Sequence, residues 1–162
     1  GQSCGGWATM MLISKYPDKV AGGISTHHAC YGELSKKYKV KKVGIEKALE
    51  NFKKKKPGPA VLRENQIKDI SKAKNLPVLV FTHPKDPYEG LLSDWVEKIP
   101  GVKRIIISQD YKIKNKSCYM VGINNGERWK KQIKKNAHFL AEADCFQYYN
   151  PVILDYIASR LK

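Results

Sequence analysis

The chain has 162 residues, 42% of them hydrophobic, enough apolar mass to bury one core, and no apolar run approaches the roughly 18 residues of a membrane span. Lys+Arg 30 against Asp+Glu 15 gives a formal charge of +15, a balance that attracts polyanions. No zinc-finger spacing, aromatic RNA-binding signature or arginine-rich arm accompanies it, so the lysines read as a solvated face and not as a specific nucleic-acid interface.

The chain opens on Gly1-Gln2-Ser3-Cys4-Gly5-Gly6, a G-x-S-x-G pattern in which a serine sits on a strained strand-to-helix turn with its hydroxyl exposed. Gly1, Gly5 and Gly6 leave room for close backbone packing, and the N–H of Cys4 falls at a helix N-terminus, where it can face a developing oxyanion. Trp7 to Tyr16 is apolar and helix-competent and stops at Pro17, with Trp7, Met10, Met11 and Ile13 as core residues. An elbow needs a strand before it, so the chain is read as the C-terminal part of a longer protein whose targeting signal lies upstream.

Lys19 to Thr26 reads as a short buried strand ending at His27-His28. Residues from about Tyr31 to Asn75 are lysine-rich, with one helix through Val43, Ile45, Leu49 and Phe52 and a second around Ile67 and Ile70, and form a helical cap or excursion. The run Lys53-Lys54-Lys55-Lys56 ends at Pro57-Gly58-Pro59, where a helix stops. Leu76 to Thr82 is the clearest strand, a continuous apolar run suited to a parallel sheet covered on both faces. It runs into His83-Pro84-Lys85-Asp86-Pro87, a loop. Tyr88 to Ile99 has amphipathic-helix spacing, and Val102 to Ser108 is the next strand.

Lys112 to Lys135 is polar and irregular, with a turn at Asn124-Asn125-Gly126. Asn136-Ala137-His138-Phe139-Leu140 precedes a closing helix from about Pro151, whose apolar face is Val152, Ile153, Tyr156, Ile157 and Leu161. The four cysteines, Cys4, Cys30, Cys118 and Cys145, include no C-x-x-C pair, which argues against a structural zinc site. Should a disulfide form, Cys118 with Cys145 is the expected pair because they flank the segment carrying His138; free, partly buried thiols are the alternative.

A serine needs a base beside it, and a histidine serves as that base when a carboxylate holds its tautomer. Asp86 lies just beyond the carboxyl end of an apolar strand, and His138 lies before the closing helix, so the order is Ser3, Asp86, His138. On these three motifs the chain resembles the C-terminal portion of an α/β-hydrolase of the esterase and dienelactone-hydrolase-like kind. The resemblance implies an α/β fold with a mostly parallel sheet of about eight strands flanked by helices, its N-terminal strands missing from this chain. It implies Ser3 as nucleophile, His138 as general base, Asp86 as the orienting carboxylate and the Cys4 N–H as an oxyanion donor. No cofactor and no metal follow from it.

Two departures stand out: Pro84 occupies a loop position where the family carries glycine, and the segment supplying a second oxyanion donor is absent. His27, His28 and His83 are candidate pocket residues, and Asp110 is the substitute acid. Glu33, Asp94, Asp144 and Asp155 read as surface or capping charges. The expected activity is cleavage of an ester, thioester or related acyl bond of a small-molecule substrate through an acyl-serine. Acyl transfer or peptide cleavage on the same fold is one alternative, and a non-catalytic polyanion-binding module is another, separable by binding that vanishes with salt. A sheet lacking strands would expose an apolar edge and favour self-association.

Overall fold

Among the described strands, Val78–Thr82 is the one in which every residue is buried, and the fold is arranged around it. The computed structural model describes residues 1–107, 112–134 and 136–161. Three parallel strands, β1 (Gly23–Thr26), β2 (Val78–Thr82) and β3 (Val102–Ile106), are hydrogen-bonded in that order. Alternation along β2 splits the core. Val78 and Val80 pack with Met10, Ile13, Ile70, Val96 and Ile99 on one side, while Leu79 and Phe81 pack with Ile107, Leu140 and Tyr156 on the other. Each such side chain contributes about 1.5–3 kcal/mol when fully buried.

Helix α1 (Cys4–Lys15) leaves the serine turn and buries Trp7, Met10 and Ile13 of the four expected core residues, while Met11 is half-buried against them. The first two residues lie along the outer edge of β1: Gln2 bridges Thr26 in parallel, the Gly1 ammonium donates to Ile24 O (2.6 Å), and Thr26 N–H donates to Gly1 O (2.9 Å).

The excursion holds four helices where two are predicted: α2 (Leu34–Lys37), α3 (Val40–Val43), α4 (Ile45–Lys55) and α5 (Pro57–Ser71). Helix α4 ends inside the lysine run, and Pro57 opens α5 in its first turn, where a missing N–H costs nothing. These helices enclose a small core of Leu34, Tyr38, Val40, Ala48, Phe52 and Ala60, to which Leu92 is added. One buried ion pair pins α5 to the segment after β2. Arg63 Nε and Nη2 donate to Glu89 Oε1 (2.9 Å) and Oε2 (2.7 Å), and burial pushes the Glu89 carboxyl up against the opposing pull of the guanidinium.

The expected α/β-hydrolase fold is corrected by the sheet. Among the described residues there is one three-stranded parallel sheet and two two-stranded antiparallel ladders, and no extended, mostly parallel sheet. The reason lies in the distribution of apolar runs. Residues between β1 and β2 coil into helices, and the segment after residue 111, in which Glu127–Gln132 is exposed along most of its length, pairs with itself. Strands β4 (Lys112–Ile113) and β5 (Lys116–Ser117) form one ladder, and β6 (Tyr119–Asn124) and β7 (Glu127–Gln132) a second. The expected irregular segment is therefore two hairpins, and the second turns at Asn125 (φ 50) and Gly126 (φ 81), consecutive left-handed residues of the kind that close a tight hairpin.

Two other expectations change. Tyr88 to Ile99 is not an α-helix but two 3-10 turns, Gly90–Leu92 and Asp94–Lys98. Ser93 Oγ donates to Glu89 O (2.9 Å), competing for a backbone acceptor, and a Cβ on Gly90 would lie 2.7 Å from His83 O, so the chain is wedged against the preceding loop. The closing helix α6 (Asn150–Arg160) exists, but only Tyr156 on it is buried; Ile157 and Leu161 of the expected apolar face are exposed because the helix leans on the core along Val152, Ile153 and Tyr156. No helix among the described residues is long and apolar enough to cross a membrane.

Candidate active site

Ser3 sits where its sequence context demands, in a backbone conformation that few non-glycine residues adopt (φ 53, ψ −125). Such a conformation costs about 1–3 kcal/mol and persists only when its surroundings over-determine it. Here they do. Ser3 N–H donates to Thr26 O (3.1 Å), and Ser3 O accepts from both Ala29 N–H and Trp7 N–H (3.1 Å each). A Cβ on Gly6 would lie 2.7 Å from Ser25 Oγ, which explains the glycine behind the serine. The hydroxyl donates to Ala29 O (3.2 Å). Cys4 is the first residue of α1, so its N–H belongs to the turn that has no partner inside the helix.

Asp86 is carried by the loop after β2. Its N–H donates to His83 O (2.9 Å), Lys85 N–H donates to His83 Nδ1 (2.9 Å), and Tyr88 N–H donates to Asp86 Oδ1 (2.9 Å). The loop with Pro84 is a closed turn that presents the carboxylate inward, and Asp86 is buried.

His138 stands on the 3-10 turn Ala137–Glu142, where Asn136 Oδ1 accepts its backbone N–H (3.0 Å). Its Nδ1 faces both Asp86 oxygens, at 3.2 Å (Oδ1) and 3.1 Å (Oδ2). The Tyr88 ring lies against the imidazole with centroids 4.2 Å apart, and Gln2 Nε2 donates to His138 O (3.2 Å), tying the histidine segment to the elbow. Ser3 and His138 line one cleft of about 310 Å³ together with Gln2, Tyr88, Phe139 and Glu142.

The three other histidines do not line that cleft. His27 is 2% exposed and His28 and His83 are 0% exposed: β1 and β2 end there, and the side chains that follow turn inward. His27 N–H donates to Phe81 O (2.9 Å), continuing the strand ladder, and its ring is 6.0 Å from that of His138. His28 packs against both Trp7 and Trp95, whose rings also meet each other. Burial lowers both His27 and His28 to about 3; nearby histidines add to it for His27, and Arg104 and Arg63 for His28. Neither ring of the two has a hydrogen-bond partner among the described residues.

Asp110 lies outside the described residues. Asp144 accepts from Tyr119 N–H (3.0 Å), Asp94 pairs with Arg104 (2.9 Å) and Glu33 with Lys36 (3.2 Å), the structural roles expected of them. Among the described residues no group of three or more His, Cys, Asp or Glu is arranged to hold a metal ion.

Cys118 and Cys145 are bonded, the pair anticipated from their positions around His138. A second disulfide, Cys4–Cys30, went unseen in the sequence. Its partners are 26 residues apart with no motif between them, and only the return of β1 beside the elbow brings them together. It clamps the residue after Ser3 to the residue after Ala29, the acceptor of the serine hydroxyl. The double substitution Cys4→Ser/Cys30→Ser is expected to cost about 3 kcal/mol of stability and to slow reaction of Ser3 with an acyl or phosphonyl reagent. Urea unfolding and labelling rate measure the two; an unaltered labelling rate would show that the clamp does not hold the elbow.

No protein-family model matches the chain, and no curated protein matches it either.

Proposed function

We propose that the protein is a serine hydrolase that cleaves an ester, thioester or related acyl bond through an acyl-Ser3 intermediate. The observation that carries the reading is the His138 Nδ1 contact with the Asp86 carboxylate at 3.1 Å, with Ser3 held in a strained conformation on the same cleft. With Nδ1–H donated to Asp86, the lone pair of Nε2 is left for a serine proton.

In the first step the Ser3 hydroxyl leaves its resting bond to Ala29 O and turns to His138. Its oxygen forms a bond to the acyl carbon, the carbonyl π pair moves onto the oxygen, and the proton passes to Nε2. The Cys4 N–H, unpartnered within α1 and at the positive end of the helix, stabilises the oxyanion. Collapse breaks the bond to the leaving group, which takes the proton from Nε2. Water then repeats the sequence against the acyl-enzyme and releases the acid. Asp86 steadies the imidazolium.

The test is intact-mass detection of a fluorophosphonate adduct on the native chain and on Ser3→Ala. One adduct, absent from the variant, is expected; a folded native chain that takes none would remove the reading.

A further inference from the structure

We propose that the cleft between the β6–β7 hairpin and Phe139 is the acyl subsite of this hydrolase, and that it takes an acyl group that is apolar beside the scissile carbonyl and anionic at its far end. The proposal rests on the serine-hydrolase reading. The cleft measures about 420 Å³, within the range of small-molecule sites, and its walls include Met120, Ile133 and Phe139 with Lys131 and Lys134.

Position comes first. Phe139 lines both this cleft and the one that holds Ser3 and His138, so the two adjoin at that ring. Asn136, which caps the His138 backbone, lines the new cleft as well.

The hairpin register sets the chemistry of the wall. Met120 pairs with Lys131 across the ladder, so their side chains share one face, and Gly122 pairs with Trp129 on that same face. The indole lies over Gly122, where a Cβ would collide with it, and this fills the face toward the hairpin tip and leaves the Met120–Lys131 end open. Apolar contacts therefore lie beside Phe139, and cationic ones lie along the hairpin.

Charge decides the class of ligand. Lys131 and Lys134 have no ion-pair partner among the described residues, whereas Lys130, on the opposite face, lies 3.8 Å from Asp144. No Asp or Glu among the described residues lines this cleft. Glu142 lines the catalytic cleft instead and disfavours an anion there. An acyl chain with a terminal carboxylate meets both demands, placing its methylenes on Met120, Ile133 and Phe139 and its charge on the lysines.

The test compares mono-p-nitrophenyl adipate with p-nitrophenyl hexanoate, acyl chains of equal length with and without a terminal carboxylate. The kcat/KM ratio is expected to favour the adipate by on the order of tenfold at low salt, and to fall to about one in Lys131→Met/Lys134→Met. Lys54→Met/Lys55→Met removes the same charge from the excursion and is expected to leave the ratio as in the native chain. A ratio unchanged by the hairpin variant, or lowered equally by the excursion variant, overturns the subsite while turnover of hexanoate leaves the hydrolase reading standing. If neither ester is turned over, the hydrolase reading fails by itself, and adipate titrated against the Met120 methyl resonance decides the cleft. A saturable shift lost in Lys131→Met/Lys134→Met supports it, and no shift overturns it.

Discussion

Asp86→Asn is expected to lower kcat by about 10⁴-fold with little change in KM. The carboxylate accepts from His138 Nδ1 and from Tyr88 N–H. An asparagine oxygen can keep the bond to Tyr88, which preserves the loop, but its NH₂ then faces Nδ1. The imidazole must accept there, its proton moves to Nε2, and the atom that should take the serine proton already carries one. The measurement is ester hydrolysis across pH on a variant whose thermal unfolding matches that of the native chain. A folded variant that keeps a tenth or more of the activity would mean that Asp86 does not orient His138 in catalysis.

The second large effect is acid lability. His27 and His28 are held neutral, with values lowered to about 3, while in the unfolded chain each titrates near 6.5. Below 6.5 the unfolded state therefore binds more protons than the folded state, and stability falls with falling pH. Their contribution is complete above about 6.5 and is lost progressively toward 3. For each histidine the slope approaches about 1.4 kcal/mol per pH unit, so the pair is expected to cost on the order of 4 kcal/mol between pH 7 and pH 5. Urea unfolding at the two pH values measures this. His28→Phe, which keeps a ring against Trp7 and Trp95, is expected to remove about half of the dependence. Equal midpoints at pH 7 and pH 5 for the native chain would show that the buried rings do not couple to folding.

The depth of His27 and His28 is not legible in the sequence. A histidine at the end of a strand can turn to solvent or to the interior with the same local pattern. His27 takes a left-handed backbone conformation (φ 46) and turns inward over β2. The 3-10 turns between Gly90 and Lys98 were hidden for a similar reason. Their apolar spacing suits a helix, and only the closeness of His83 O to Gly90 and the bond from Ser93 to Glu89 keep the chain from completing one. The fold class failed on a larger scale, since the number of strands that join a sheet depends on which segments find partners, and the residues after 111 found each other.

Sequence by itself determined the features that follow from neighbours along the chain. Gly1 and Gly6, though not Gly5, leave room for close packing at the serine turn, the apolar run Val78–Thr82 makes a strand buried on both faces, Pro57 separates two helices, and Asn125-Gly126 closes a hairpin. Each depends on sterics or burial within a few residues. Tertiary structure alone decided what meets across distance. It set Asp86 against His138, 52 residues away, closed Cys4 on Cys30, buried Arg63 with Glu89, and opened a cationic cleft beside Phe139. These contacts form only when the sheet and its covering helices pack, because the free energy that brings each pair together belongs to the shared core and to no single segment.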